Sequence, residues 1–175
     1  DSLMIIAALD KADKYFDRQE YDSALIIAKE AAEIAKTKKL FKAQGWSLVR
    51  MAEVLLEQKK LTEAEQFATE VHKISNQVSD TLMNGVALLL LGQVKMYNDQ
   101  VDEAILLMDK SIAGGLGHYP NEYLALAFND LGYAWGMKDE YERQVQFTHK
   151  SLGIYEQIKN EAGMAMALGN LSTVY

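Results

Sequence analysis

Three histidines are the side chains best suited to metal binding or acid–base chemistry, because the sequence contains no cysteine. His72 and His149 fall in separate segments with helical periodicity, and His118 lies in a predicted loop. Two histidines that share a metal ion on one helix stand three or four residues apart, and no pair has that spacing. We therefore expect no catalytic residue, no metal site and no cofactor, and we predict that the chain is not an enzyme.

A glycine-rich stretch at residues 114–117 is the other candidate for chemistry, because glycine-rich loops can surround phosphate groups. A phosphate-binding loop follows a strand and opens a helix, and no strand pattern precedes this stretch. We interpret it as the end of a helix, with Gly114 and Gly115 in the left-handed conformation that closes many helices.

Composition narrows the classes of partner. The chain has 175 residues and a net charge of -7, which repels nucleic acid overall. Its longest apolar run, residues 86–92, is far too short to span a bilayer. We expect no direct nucleic-acid binding and no membrane insertion. The lack of cysteine suits a reducing compartment, so a cytoplasmic location is the expectation.

The elements that would position any site recur with a fixed period. A small residue returns every 40 positions, at Ala12, Ala52, Gly92, Gly132 and Ser172. Twelve positions after the first four of these stand Ala24, Ala64, Ala104 and Gln144. Such a period indicates one helical hairpin repeated along the chain, each unit burying its apolar face on the next. Gly92 and Ala104 predict a close crossing of two helices.

Apolar periodicity of 3.6 and polar turns predict an all-α chain of about nine helices. Thr62 with Glu65 has the pattern of a capping box at the start of one helix. We predict the first helix of each pair at residues 2–18, 41–58, 80–97, 121–137 and 161–175. We predict the second helix of each pair at residues 21–36, 61–77, 101–114 and 141–158.

The run Leu131-Gly132-Tyr133-Ala134-Trp135, and the alanine twelve positions after Gly92, resemble the tetratricopeptide repeat (TPR). The resemblance implies a right-handed α-solenoid of antiparallel helix pairs. The period of 40 is similar to the long variant found in cytoplasmic adaptor scaffolds and in bacterial peptide-sensing regulators. Lys95 and Gln144 depart from the pattern, which has an aromatic and an alanine there. HEAT and armadillo repeats also have periods near 40, but they lack the combination of small, aromatic and alanine positions.

The repeat pattern runs the length of the chain as a single array. Its units are about 1–40, 41–80, 81–120 and 121–160, with a partial unit at 161–175. Because the sequence starts without a methionine and stops within a helical pattern, we expect a fragment of a longer protein.

The TPR resemblance implies a concave groove lined by the first helix of each pair. Mapping the ligand-facing positions of the family onto this sequence gives Trp46, Arg50, Glu53, Gln93, Tyr97, Asn129, Asp130, Tyr133 and Asn170. The N-terminal part of this surface is acidic, and the later part carries amides and tyrosines. Such a groove would suit an extended or helical peptide with a basic or polar end. An alternative is that Asn129 and Asn170 only bond neighbouring helices.

The sequence therefore favours a non-enzymatic scaffold that binds a protein or peptide in its groove. Two alternatives stay open. The chain could be the peptide- or ligand-sensing domain of a signalling or transcription regulator whose effector domain lies outside it, or an accessory domain of a larger enzyme. The sequence leaves the oligomeric state and the identity of the ligand open.

Overall fold

A computed structural model describes residues 2–173 of the chain, and this range contains helices and no strands. The helices are α1 (Ser2–Asp17), α2 (Tyr21–Thr37), α3 (Phe41–Glu57), α4 (Leu61–Gln77), α5 (Thr81–Tyr97), α6 (Val101–Gly114), α7 (Glu122–Gly136), α8 (Tyr141–Gln157) and α9 (Glu161–Ser172), with a short 3-10 helix at Leu116–His118. They match the predicted segments within two residues, apart from the end of the last segment, where Tyr175 lies outside the described residues. The all-α fold class is confirmed.

The turns between helices show that the true unit of the backbone is half the sequence period. At seven turns of the described chain, one non-glycine residue adopts a φ of 54 to 61°. These residues lie 20 apart or a multiple of 20 apart: Gln19, Lys39, Lys59, Ser79, Asp99, Asp139 and Lys159. In the first turn, the Glu20 amide donates to the Tyr15 carbonyl at 2.9 Å, the bond that closes a Schellman motif. Identical turns therefore set a constant spacing between successive helices.

The connection between α6 and α7 breaks this rule. The helix ends at Gly114 as predicted, but the left-handed conformation predicted for Gly114 and Gly115 is wrong. No described glycine has a positive φ, and Gly115 is extended at -176°. A Cβ on Gly115 would lie 1.9 Å from the Thr81 carbonyl oxygen, so the residue is small because the loop passes directly over the start of α5. Leu116 then fills the space over Gly85. Asn121 starts α7 by accepting a hydrogen bond from the Leu124 amide at 2.9 Å.

Small residues hold the two helices of a pair together, as the period predicts. A Cβ on Gly92 would lie 3.3 Å from the Ala104 carbonyl oxygen, which confirms the close crossing. Ala12, Ala52 and Ala104 are fully buried. Ser172 is exposed because no described helix follows α9.

The capping box predicted at Thr62 is wrong. The residue that caps α4 is Lys60, whose side chain makes no capping bond. Thr62 lies within the helix, and the Glu65 carboxylate instead lies 3.3 Å from the Lys95 ammonium.

The two departures from the TPR pattern have physical reasons. Lys95 reaches outward between helices, where its ammonium lies 3.3 Å from Glu65 of α4 and 3.8 Å from Glu103 of α6. Gln144 fits where other units have alanine because Gly136 leaves room for its amide. That amide donates to the Asn170 carbonyl of α9 at 3.4 Å and to the Thr173 hydroxyl at 3.2 Å. Both substitutions exchange apolar packing for polar links between units.

The helices form two layers. Each odd-numbered helix packs against the next odd-numbered one, so α1, α3, α5, α7 and α9 make an inner layer. The even-numbered helices cover its outer side and supply alanines to the core. Within residues 2–173, no helix is long and apolar enough to cross a bilayer.

Candidate functional site

A cavity of about 750 Å³ is enclosed mainly by the inner helices. We call it the inner cavity. Its lining residues come from α1, α3, α5, α7, α9, one position of α8 and the residue that caps α9: Asp13, Phe16, Asp17, Arg50, Glu53, Leu56, Glu57, Gln93, Tyr97, Glu122, Tyr123, Leu126, Tyr155, Asn160, Ala162, Gly163 and Met166. This volume lies within the range of pockets that hold small ligands or short peptide segments.

Arg50 is at the centre of the charged part of the wall. Its guanidinium lies 2.7 Å from the Asp13 carboxylate of α1 and 2.8 Å from the Glu53 carboxylate one turn along α3. It also lies 5.0 Å from the centre of the Phe16 ring, within the range of cation–π attraction. These contacts fix one cation between two anions and an aromatic face.

Tyr123 joins this cluster from α7, two pairs further along the chain. Its ring centre lies 6.3 Å from that of Trp46, and its hydroxyl is within hydrogen-bonding reach of the Glu53 carboxylate. The cluster therefore connects α3 to α7 across the inner layer. A second cavity of about 200 Å³ lies against the same cluster and is lined further by Leu9, Trp46 and Val49.

Burial changes the acid–base behaviour of this cluster. It raises the pKa of Glu53, and the neighbouring Arg50 offsets part of that increase. Burial also raises the pKa of Tyr123, with a further increase from the charge of Glu53. Tyr123 therefore stays protonated at neutral pH and can act as a hydrogen-bond donor.

A second polar pair joins α5 to α7 at the same spacing as Asp13 and Arg50. The Gln93 amide donates to the Asp130 carboxylate at 2.7 Å. Burial raises the pKa of Asp130 to about 6, although hydrogen bonds from Gln93 and Asn129 act in the opposite direction. In each pair the two residues are 37 positions apart, which places them on facing sides of successive inner helices.

A third link joins α7 to α9. The Asn170 amide donates to the Asn129 side-chain oxygen at 2.8 Å, and Asn129 is only 4% exposed. This hydrogen bond agrees with the alternative interpretation, in which the two asparagines bond neighbouring helices. Their role as ligand contacts remains a prediction.

The residues predicted for the groove therefore separate into two groups. The larger cavity is lined by Arg50, Glu53, Gln93 and Tyr97, and the smaller one by Trp46, Arg50 and Glu53. Neither cavity is lined by Asn129, Asp130, Tyr133 or Asn170. Of the second group, Tyr133 is 49% exposed and so is free to contact a partner outside the cavities.

Sequence reasoning missed Tyr123 and Tyr155 as parts of the cavity wall. Tyr123 stands nine positions before the small residue Gly132, outside the ligand-facing positions of the repeat. Tyr155 belongs to a second helix, where the repeat places no ligand contact. The available signal was an aromatic residue at a position that other units fill with smaller side chains.

Comparison with known proteins identifies the fold. No protein-family model and no curated protein matches the sequence. Among solved structures, BtubC (BKLC) from P. vanneervenii is similar with a TM-score of 0.69 at 15% identity, covering 91% of this chain and 66% of that one.

A putative kinesin light chain of Podosopora anserina, described as having nearly identical TPR-like repeats, has a TM-score of 0.69 at 13% identity. The match covers 98% of this chain and 85% of that one. MamA has a TM-score of 0.53 at 16% identity, and the match covers 93% of this chain and 91% of that one. The chain therefore has a TPR-type helical-repeat fold, as its 40-residue period indicates.

Proposed function

We propose that the chain is a non-enzymatic scaffold that binds a protein or peptide segment in the inner cavity. The observation that supports this most directly is the composition of the wall, because every inner helix contributes to one cavity of about 750 Å³. A segment bound there would contact all the units at once. Affinity would then depend on the repeat array as a whole and not on one hairpin.

The chemistry of the wall agrees with peptide binding. Tyr97, Leu126 and Met166 offer apolar contact area, and Gln93 has an amide oxygen that can accept a hydrogen bond from a peptide N–H. The Gln93 nitrogen is already used by Asp130, which holds the side chain in place. A wall that combines a fixed polar group with adaptable apolar ones favours extended chains.

The test selects ligands from a random peptide library displayed on phage, using the whole chain as bait. The affinity of each recovered peptide is then measured for the native protein and for the variants Tyr97→Ala and Met166→Ala, which remove apolar area from the wall. The control variants are Ile26→Ala on α2 and Leu106→Ala on α6, which remove exposed apolar side chains of the outer layer.

We expect affinity for the recovered peptides to fall about tenfold or more in the cavity variants and to stay unchanged in the controls. Circular dichroism checks that all four variants remain folded. Peptides that lose affinity only in the outer-layer variants would show that the binding surface is the other side of the array.

A further inference from the structure

The charge of the inner cavity is strongly one-sided. Its described lining includes five carboxylates and a single cation, Arg50. Arg50 is occupied by Asp13 and Glu53. The remaining carboxylates, Asp17, Glu57 and Glu122, form no ion pair within the described chain. Glu122 accepts a hydrogen bond from the Asn160 amide at 3.1 Å, but no cation of the described lining balances these three charges.

An independent observation concerns Tyr155, on α8. This side chain lines the cavity but is only 2% exposed, and its ring packs closely against Gly163. Its hydroxyl makes no hydrogen bond with any described residue, and because the side chain lines the cavity, a group bound there can pair with it. Glu122 and Asp130 are close enough to influence it electrostatically. A donor that reached the hydroxyl would also be attracted by these carboxylates.

The acids of the cavity wall are not clustered like the ligands of a metal site with three protein side chains. Within residues 2–173, no three carboxylate or histidine side chains are grouped as metal ligands. The acids are instead distributed around a large cavity together with Phe16, Leu56 and Leu126. Spaced carboxylates with apolar surface between them match a flexible organic cation, whose aliphatic stem packs while its head is hydrated or paired.

We propose that the inner cavity selects a peptide segment bearing lysine or arginine, whose cations pair with Asp17, Glu57 and Glu122 while one donor reaches the Tyr155 hydroxyl. This inference rests on the proposed function, because it names the class of peptide that the cavity binds. The aliphatic stems of the basic residues pack on Leu56, Leu126 and Met166.

The experiment measures binding of the whole chain by fluorescence anisotropy to three labelled random-peptide pools of equal length: lysine- and arginine-rich, neutral, and acidic. Unlabelled spermidine serves as a competitor. The cavity variant is Asp17→Asn with Glu57→Gln. The matched control is Glu30→Gln with Glu63→Gln, which removes the same charge from exposed positions on α2 and α4.

We expect the basic pool to bind most tightly, and its affinity to fall about tenfold in the cavity variant and less than about twofold in the control. Equal losses in both variants would overturn the proposal, since net charge alone would then explain binding. Displacement of the basic pool by spermidine at a lower concentration than by the same pool unlabelled would also overturn it, in favour of a free polyamine.

The result separates this inference from the proposed function. Tight binding of the neutral or acidic pool that is lost in Tyr97→Ala would support a peptide-binding cavity and contradict its basic specificity. No binding of any pool would contradict both.

Tyr155→Phe provides a second measurement. Because the hydroxyl has no hydrogen-bond partner in the described chain, its loss should leave the melting temperature unchanged. It should lower the affinity for the basic peptide pool about threefold. Unchanged affinity would exclude the hydroxyl from binding.

Discussion

Two polar pairs in the inner layer have the same geometry but different surroundings. Asp13 with Arg50 and Gln93 with Asp130 stand at the same repeat positions and have the same 37-residue spacing. Both members of the first pair line the inner cavity, whereas in the second pair only Gln93 lines it and Asp130 is buried between α5 and α7. The repeat therefore sets where polar side chains meet, and the surroundings decide whether the acceptor or donor on the later helix is open to the cavity, as Arg50 is, or buried, as Asp130 is.

The energetic consequences also differ. Near the cavity, Arg50 neutralises carboxylates that remain partly in contact with water, so the pair contributes both stability and a charged wall. Asp130 has only neutral amide partners and no cation. Its charged form is therefore unfavourable, and the fold carries that cost at neutral pH.

The largest expected effect concerns Asp130. Because burial raises its pKa in the folded chain to about 6, the folded state keeps a proton that the unfolded state loses above its ordinary value of 3.8. Stability from this residue is complete below about pH 4 and is lost as pH rises to about 6. The difference corresponds to about 3 kcal/mol at most.

Asp130→Asn should remove this dependence, so the variant gains stability relative to the native chain as pH rises through the same window. Urea denaturation at several pH values measures the difference. Asp10→Asn, at the equivalent repeat position on exposed surface, is the control and should track the native chain. A difference between Asp130→Asn and native that stays constant with pH would show that Asp130 titrates normally.

The next effect tests the cavity pair. Arg50→Ala leaves Glu53 without its cation, and the Glu53 side chain is only 16% exposed. We expect a loss of about 2 kcal/mol in the free energy of unfolding at pH 7, below the range for fully buried pairs because both groups touch solvent. Adding Glu53→Gln should restore part of it.

Asp13→Ala is the comparison, since the Asp13 side chain is 47% exposed and its loss should cost less than about 1 kcal/mol. Guanidinium denaturation would mask charge effects, so urea is the denaturant of choice. Equal losses for Arg50→Ala and Asp13→Ala would contradict the view that Arg50 chiefly compensates Glu53.

The smallest effect concerns the amide link between α7 and α9. Asn170→Ala leaves the buried Asn129 oxygen without its donor, which should cost about 1 kcal/mol. Gly169→Ala, the adjacent position, adds a methyl group that meets no atom within 4 Å and should stabilise the helix slightly. Thermal unfolding followed by circular dichroism measures both. A neutral Asn170→Ala would mean that the link does not contribute to the fold.

Much of the fold could be predicted because the repeat is encoded locally. Small residues at 40-residue intervals, with apolar periodicity between them, predict each helix and its neighbour. The left-handed turn residues were not predictable, because lysine, glutamine, serine and aspartate occupy them where glycine is the usual signal. At Gly115 the prediction failed for the opposite reason. Glycine is needed there because the chain passes close to Thr81 of another helix, and the residue has no positive φ.

The candidate site was less predictable than the fold. Arg50, Glu53, Gln93 and Tyr97 follow from the repeat positions. Tyr123 and Tyr155 reach the cavity through the curvature of the array, which is the sum of small rotations between units. No local pattern specifies that sum.

The sequence by itself determined the helices, their pairing and the chemical character of the inner layer, because these depend on short-range periodicity and on residue type. The tertiary structure decided which of these side chains line a cavity and which are buried against each other. Arg50 and Asp130 occupy equivalent repeat positions, yet one helps to form a charged wall and the other a buried hydrogen bond. That distinction depends on the distance between inner helices several units apart, and it exists only once the array has folded.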